Sequence, residues 1–544
     1  MKRYLSFFLI LVLSQASAQK LSKADKTLMK NLKQHLSYLA DDRLEGRRTG
    51  TNGEQLAMVY IQQVFEKNGL SARGKDGYFQ PFEINEGRAV AATSLLMING
   101  TLLQLENDFF PLACSPDVTD EHMVAPALSE SGLPWFFDIE DMLVNNTHPH
   151  FDLYQALKDK ARDAATKGAT ALYIYNSGTQ ADGLKYDGAD RSPRTSIPII
   201  YMKAGAVKKW IADPTQPIEI KLRLQQTNKI RKGHNVVGYI DNQAPTTVVL
   251  GAHFDHLGYG EDNNSRHTGN AAIHNGADDN ASGTAALLEL SRMLKKSGPR
   301  NHNYAFVAFS GEELGLYGSR YFTENPTIAL SDVSYMINMD MVGRLNDSSK
   351  TITVGGFGTS PSWQQLLFAE KKMPFQIKID SSGTGPSDHT SFYRKDIPVL
   401  FFFTGLHTDY HKPSDDFEKI NYAGTTHIVN YIYRLIGRTS NNGKLAFQKT
   451  REQQTTTSAR FTVSMGIMPD YTYSGTGLRV DGVSEGKPAQ KAGIKAGDIV
   501  TMLGSYPVYS VESYMQALSK FKKEDTTQVK LKRGEEQIMV EVRF

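Results

Sequence analysis

Apolar residues recur along this chain with two different periods, and the change from one to the other marks out its segments. Between Lys26 and Leu39 the residues Leu28, Leu32, His35, Leu36 and Leu39 share one face at helical spacing, and a second such face runs from Leu56 to Phe65. The stretch between them, Glu45 to Gly53 (EGRRTGTNG), is broken by glycines and reads as a loop. From Thr93 onward short β-like runs and turns take over. Leu153 to Ala165 then reads as an amphipathic helix, with strands expected at Ala169 to Tyr175 and Ile197 to Tyr201. Beyond His234 strands alternate with helices: Val236 to Ile240, Val248 to Leu250, a helix after Gly283, then Tyr304 to Phe309, Ser334 to Met339, Thr351 to Val354 and Val399 to Phe403. Apolar strands separated by helices predict an α/β fold with a mixed, mostly parallel sheet sandwiched by helices. From 439 to 460 the chain is rich in Thr, Asn, Gln and Lys and reads as a linker.

Candidate chemistry gathers where those strands end. In an open α/β sheet, ligands bind beyond the carboxyl ends of the strands. His253 follows the Val248 strand, which Gly251 is expected to end. Glu312 and Glu313 follow the Tyr304 strand, Asp340 closes the Ser334 strand, and His411 comes shortly after the Val399 strand. A lone aspartate at such a place is most often a cap or a solvated turn, and a lone histidine is most often structural. Two imidazoles and several carboxylates recurring at one edge instead form a donor set that suits zinc and holds two ions when one carboxylate bridges. Asp278, in a Gly-punctuated turn before the helix with Leu287, Leu290, Met293 and Leu294, is the expected bridge. Neighbouring side chains in an extended strand point to opposite faces, so Glu312 and Glu313 serve one site only where the chain turns, as Gly311 and Gly315 permit. One would bind metal and the other act as general base. Asp255, two residues past His253, is expected to fix the imidazole from behind.

Composition narrows the classes. The 544 residues exceed one ordinary domain. Lys and Arg (61) nearly balance Asp and Glu (58), so no basic footprint for nucleic acid exists. Lys2 and Arg3, the apolar run Phe7 to Leu13 and the triplet Ala16-Ser17-Ala18 have the layout of a secretory signal over 1–18. That run is shorter than the roughly 20 residues of a membrane span. An exported protein, periplasmic or secreted, with no membrane span is expected. Cys114 is the single cysteine, so no intrachain disulfide exists and stability must come from cores and bound metal.

Five blocks carry a resemblance: GAHFDH from Gly251, GADDNASG from Gly276, FSGEELGLYGS from Phe309, NMDMVG from Asn338 and DYHKPSD from Asp409. In that order they resemble the signature blocks of the co-catalytic di-zinc aminopeptidases, the family that also contains aminopeptidase Y, glutamate carboxypeptidase and glutaminyl cyclase. The resemblance implies two zinc ions, one on His253 and Asp340 and the other on Glu313 and His411, with Asp278 bridging them and Glu312 as base. It further implies that Tyr410 hydrogen-bonds a developing oxyanion, that His389 in the GPSDHTSF segment lies on the substrate side, and that the Asp278–Asp279 peptide bond is cis. Histidines 256 and 407 could join His389 there, but loop histidines without a partner are more often surface groups; Phe401 to Phe403 are most simply a buried strand, with a pocket for an apolar side chain as the weaker reading.

Two flanking segments resemble known modules. The 101–230 segment is similar to the protease-associated domain inserted in several secreted peptidases, between residues 19–100 and 231–438 of the peptidase domain. Residues 461–544 resemble a PDZ domain. There SGTGLRV from Ser474 looks like the carboxylate-binding loop and its strand, and KPAQKAGIKAGD from Lys487 like the helix and Gly-Asp turn. A PDZ domain implies docking of peptide C-termini.

The expected reaction is hydrolysis of a peptide bond next to a free N-terminus, with Glu312 moving the proton from the attacking water to the leaving amine. The first rival is a carboxypeptidase of the same family, which needs cationic groups for the substrate carboxylate and is kept open by Arg344. Glutaminyl cyclase is disfavoured because its family members use a single zinc. A non-catalytic peptide-binding protein is the rival from another class, although structural zinc sites are usually closed and cysteine-rich.

Overall fold

The computed structural model describes residues 22–144, 153–450 and 463–544, apart from 189, 191, 263, 371–372, 470–476, 484–485, 509–510 and 535. The expected leader (1–18), most of the expected carboxylate loop (474–476) and residues 451–460 of the expected linker lie outside the described residues. The chain divides into two compact units, Met1–Gln80 with Asn235–Arg451, and Pro81–His234 with Glu452–Phe544.

The first unit is built on one sheet. Helices α1 (Lys23–Leu39) and α2 (Asn52–Lys67) cover the two predicted helical faces. Both begin at capping side chains: Ser22 forms a capping box with Asp25, and Thr51 accepts from the Glu54 amide. The strands β1 (Gln226–Ile240), β2 (Thr247–His253), β3 (Asn303–Phe309), β4 (Val333–Met339), β5 (Thr351–Gly355), β6 (Gln376–Ile379) and β7 (Val399–Phe403) include every one predicted beyond His234. They pair in the order β1-β3-β2-β4-β7-β5-β6. The four central strands β3, β2, β4 and β7 are parallel, while β1 and β5 join them antiparallel. The mixed, mostly parallel α/β architecture is the one expected.

Alternation explains why both faces are dry. Val248, Leu250 and Ala252 of β2 point into one core with α1, α2, α3 (Gly283–Ser297) and α4 (Tyr422–Thr439), while Val249 points into the other with Val237, Val307, Phe322 and Phe392. Three boundaries differ from expectation. Strand β2 runs through Gly251 to His253, because a Cβ at Gly251 would sit 2.6 Å from Met336 and Phe309 atoms: the glycine is there for close packing and does not end the strand. The insertion leaves and returns near Gln80 and His234, not 100 and 231. These crossings fall inside the continuous strands Phe79–Val90 and Gln226–Ile240, so no turn residues mark them. Residues 440–450 are not a free linker: Leu445 is buried in the helical core and the Gln448 amide donates to Thr359 at 2.7 Å.

Within the second unit, residues 81–234 carry two four-stranded sheets. One is antiparallel (Thr101–Leu102, Leu95–Ile98, Ile218–Leu224, Val118–Val124), and the other joins Phe109–Pro111, Ile199–Met202, Leu172–Tyr175 and Trp135–Asp138. The predicted helix appears as Leu153–Thr166. Residues 463–544 form a separate six-stranded sheet around Val480, Val500, Leu503, Val529 and Leu531, with strand Ile467–Pro469 at its edge.

Candidate metal centre

Because β3, β2, β4 and β7 are parallel, their carboxyl ends lie along one edge, and the predicted polar residues follow there. His253 is the last residue of β2, Glu312 and Glu313 follow β3 after Ser310-Gly311, Asp340 follows β4, and His411 lies in the loop after β7. Gly311 and Gly315 take positive φ of 69° and 108°, a conformation that costs glycine least, and this turn brings both glutamates to one place.

Five side chains meet around one carboxylate, and it belongs to Asp279. Its Oδ1 lies 3.4 Å from His253 Nε2 and its Oδ2 lies 3.2 Å from His411 Nε2. On the first side His253 Nε2 is also 3.4 Å from Asp340 Oδ1. On the second, His411 Nε2 is 3.2 Å from Glu313 Oε2. Two donor groups fit a cation, His253–Asp279–Asp340 and His256–Asp279–Glu313, and Asp279 is common to both. Glu312 Oε2 stands 3.9 Å from His253 Nε2, beside the centre and outside both groups.

The expected bridge, Asp278, is therefore corrected. Its Oδ1 accepts from the Gly343 amide at 2.6 Å and from Ser282 Oγ at 2.9 Å, and its Oδ2 faces His407 Nε2 at 3.3 Å. Two adjacent acids in one turn have the same relation to the flanking strand and helix, so spacing does not rank them. The turn itself does, because Asp279 and Asn280 leave helical φ/ψ and swing the second carboxylate toward the strand ends. The cis peptide bond is likewise Asp279–Asn280, one residue beyond its expected place.

A surrounding layer holds these groups. Asp255 was expected to fix His253, yet Nδ1 of His253 lies nearer the Asp255 carbonyl (3.2 Å) than its carboxylate (3.7 Å). The carboxylate instead accepts from the amides of Glu312 (3.2 Å) and Glu313 (3.4 Å) and from Thr49 Oγ1, so it shapes the glutamate turn. Ser387 donates to Asp340 Oδ2 at 2.8 Å, and Asp415 Oδ2 accepts from the amides of Asp278 and Asp279. Arg47, fully buried, donates to the carbonyls of Leu39, Phe254, Asn275 and Gly276 and ties the loops beneath the centre together. Tyr410 stacks on His411 with ring centroids 3.9 Å apart, and the Arg266 guanidinium lies 4.7 Å over it. His389 is buried and stacks on Phe401 at 4.5 Å; Phe401 and Phe403 stack in turn, both half-buried rather than fully buried as expected of that strand. His256 and His407 are not surface groups: His256 is 2% exposed and bonded to Glu313, and His407 packs against Asp278.

The electrostatics sort these groups. Burial opposes charge on His253, but the Asp340 and Glu312 carboxylates outweigh it and hold the imidazole well above its ordinary pKa. His411 is likewise disfavoured by burial, yet Glu313 and Asp279 push it up to about 10. Asp279 stays well below the carboxylate range despite burial, because the His253 and His411 imidazoles beside it favour its charged form, and Glu313 is held at about 2 by its histidines against the same opposition. Glu312 differs. Burial, with the charges of Glu313, Asp388 and Asp340, raises it well above its ordinary value against the pull of His253. One glutamate of the pair is thus kept as an anion and its neighbour is kept ready to hold a proton. The fit to a cation rests on the donors themselves: His253 Nε2 and Asp340 Oδ1 are buried and face each other at 3.4 Å without forming a hydrogen bond.

Residues 235–436 match the profile of peptidase family M28, and residues 449–544 that of the PDZ domain. Aminopeptidase YwaD of Bacillus subtilis is 27% identical over 283 residues, 48% of this chain and 55% of its own length, so the chain spans about half of that relative. An aminopeptidase of Pseudomonas aeruginosa is 27% identical over 382 residues, covering 66% of this chain and 67% of that protein. Among solved structures, that of BSAP, a zinc aminopeptidase from Bacillus subtilis, aligns over 78% of this chain and 96% of its own, with 21% identity and a TM-score of 0.42.

Proposed function

Residues 235–436 are a domain of peptidase family M28 and residues 449–544 a PDZ domain, and from that premise we propose that the protein is a zinc-dependent aminopeptidase releasing N-terminal residues from peptides. The observation that carries the proposal is the pair of donor groups joined through Asp279, with Glu312 standing beside them and uncommitted. His253, Asp340 and Asp279 would hold one zinc, and Asp279 and Glu313 the other; there His411, with Nε2 3.2 Å from both Asp279 Oδ2 and Glu313 Oε2, would be the imidazole ligand in place of His256, whose Nδ1 is 3.9 Å from Asp279 Oδ2 and bonded to Glu313 Oε1. Such a pair polarises a carbonyl and acidifies water. Glu312 takes the proton of the attacking water and returns it to the leaving amine, a task suited to a carboxyl whose proton affinity is raised by burial. Tyr410 faces the developing oxyanion, and His389 with Phe401 and Phe403 lines the substrate side.

The amino end of the substrate is favoured over the carboxyl end by the fate of Arg344. A carboxypeptidase needs a cation free for the substrate's carboxylate, but the Arg344 guanidinium is already charge-paired, its Nη2 donating to Asp409 Oδ2 at 3.1 Å while Nη1 is buried. The pattern of residues 1–18 supports export, and among the described residues no helix is long and apolar enough to cross a membrane. The strand Ile467–Pro469, at the edge of the PDZ sheet, is where a peptide C-terminus would add. The insertion, residues 81–234, takes the part of the protease-associated domain in this scheme.

The deciding assay measures turnover of amino-acyl anilides. Chelation should abolish it and added zinc restore it, while Glu312→Gln should lower kcat by about 10²–10⁴-fold with zinc retained. Equal rates with and without chelator, or an undiminished Glu312→Gln variant, would overturn the reading.

A further inference from the structure

We propose that His256 is a positioning residue of the second cation pocket, holding one oxygen of Glu313 so that the other is presented to the ion; this rests on the two-cation reading above. His256 Nδ1 lies 2.7 Å from Glu313 Oε1, while Glu313 Oε2 points the other way, 3.2 Å from His411 Nε2. The carboxylate is thereby divided, one oxygen to a hydrogen-bond donor and one to the pocket shared with Asp279 Oδ2. His256 Nδ1 is 3.9 Å from Asp279 Oδ2, farther than His411 is, so of the two imidazoles it stands farther from the bridging carboxylate.

The ring has been given little freedom. A Cβ at Gly276 would lie 2.3 Å from its Cδ2, so the glycine exists to let the backbone lie against the imidazole. The His256 amide donates to the Arg47 carbonyl, and the Arg47 guanidinium braces the carbonyls of Phe254 and Gly276 on either side of the ring. A clamped donor matters here because Glu313 hangs on a glycine turn and has three rotatable side-chain bonds, and a freely turning carboxylate loses its ordering entropy when the ion binds. Partners of this kind orient metal ligands, and their removal typically costs about 10–100-fold in metal affinity.

The test uses the full chain and reads metal directly. Wild type, His256→Leu and His256→Asn are equilibrated with zinc, and the stoichiometry and the affinity of each ion are measured by competition with a chromogenic chelator. Leucine keeps the bulk and removes the donor, whereas asparagine places an N–H near the position of Nδ1. Wild type should hold two ions. His256→Leu should bind one ion normally and the other about 10–100-fold more weakly, and His256→Asn should restore most of that loss. Normal binding of the first ion certifies folding, and if His256→Leu holds neither ion, His256→Ala decides by the same readout. Undiminished second-ion affinity in the donorless variant overturns the proposal while leaving the two-cation reading intact. Equal loss in the leucine and asparagine variants also overturns it, in favour of direct ligation. A wild type that holds fewer than two ions sinks the underlying reading and this proposal with it.

Discussion

The PDZ domain and the peptidase domain both bury aspartate, and they treat it in opposite ways. In the PDZ domain Asp498 is 1% exposed and fully answered: Arg533 donates to both of its oxygens at 2.7 Å and the Lys495 amide adds a third bond at 2.9 Å. The peptidase domain buries Asp255, Asp278, Asp279, Asp340, Asp388 and Asp415 in one region. Its buried guanidinium there, Arg47, spends its donors on main-chain carbonyls. Desolvating a carboxylate costs several kcal/mol or so unless charge and hydrogen bonds compensate. A buried acid with its own arginine is a structural fastener. Asp255, Asp278 and Asp415 are answered by amides and hydroxyls, whereas Asp279 and Asp340 face imidazoles and each other's pocket, an arrangement that a cation from outside could complete.

The sharpest way to break this contrast is to neutralise each acid of the Asp278–Asp279 pair separately. Asp279→Asn removes the carboxylate common to both donor groups, so bound zinc should fall from about two ions per chain to less than about one, and anilide turnover with it. Asp278→Asn should keep both ions and lower the unfolding free energy of the peptidase domain by about 1–3 kcal/mol, since it disturbs buried bonds to Gly343 and Ser282. Metal analysis and thermal melts on the same samples check both. If Asp278→Asn were the variant that lost metal, the assignment would reverse.

That pair also marks the boundary between what the amino-acid pattern carries and what only the folded turn decides. The strand ends were legible because apolar β runs terminate in polar residues: Val399 to Phe403 was expected and is observed, and His253, Glu313, Asp340 and His411 arrive together as their positions implied. Asp278 against Asp279 was not legible, because their difference lies in the φ/ψ of two turn residues and not in spacing. The place of His256 is not legible for a related reason. A loop histidine shows no partner in sequence, and its partner here, Glu313, is 57 residues away. The limits of the insertion were hidden inside strands that cross from one unit to the other without a turn.

A smaller effect is expected on the PDZ side of the comparison. Asp498→Ala leaves the Lys495 amide without its acceptor and strands Arg533, whose side chain is 36% exposed and finds water. The cost should lie near the lower end of about 1–3 kcal/mol. It should appear only in the PDZ transition, with zinc content and turnover on small anilides unchanged. Loss of metal in this variant would mean that the two buried-acid regions are not independent.

A last effect, which appears only as pH is lowered, concerns a buried ionisable group that is neither paired nor placed to bind metal. His389 lies against Phe401, and burial pushes its pKa from 6.5 down to about 3. Between those values the unfolded chain binds a proton that the folded chain refuses, so this histidine destabilises the fold progressively as pH falls from about 6.5 toward 3 and costs nothing above that window. In His389→Phe the penalty is absent. The melting temperature of the variant relative to wild type should therefore rise as pH is lowered from 7 to 4, whatever its offset at neutral pH. Taking the difference between the two chains removes the carboxylates that titrate in the same range, since both share them. A flat difference would show that His389 takes up its proton in the folded state, and that burial among aromatic rings does not hold this group neutral while the acids nearby are held for a cation.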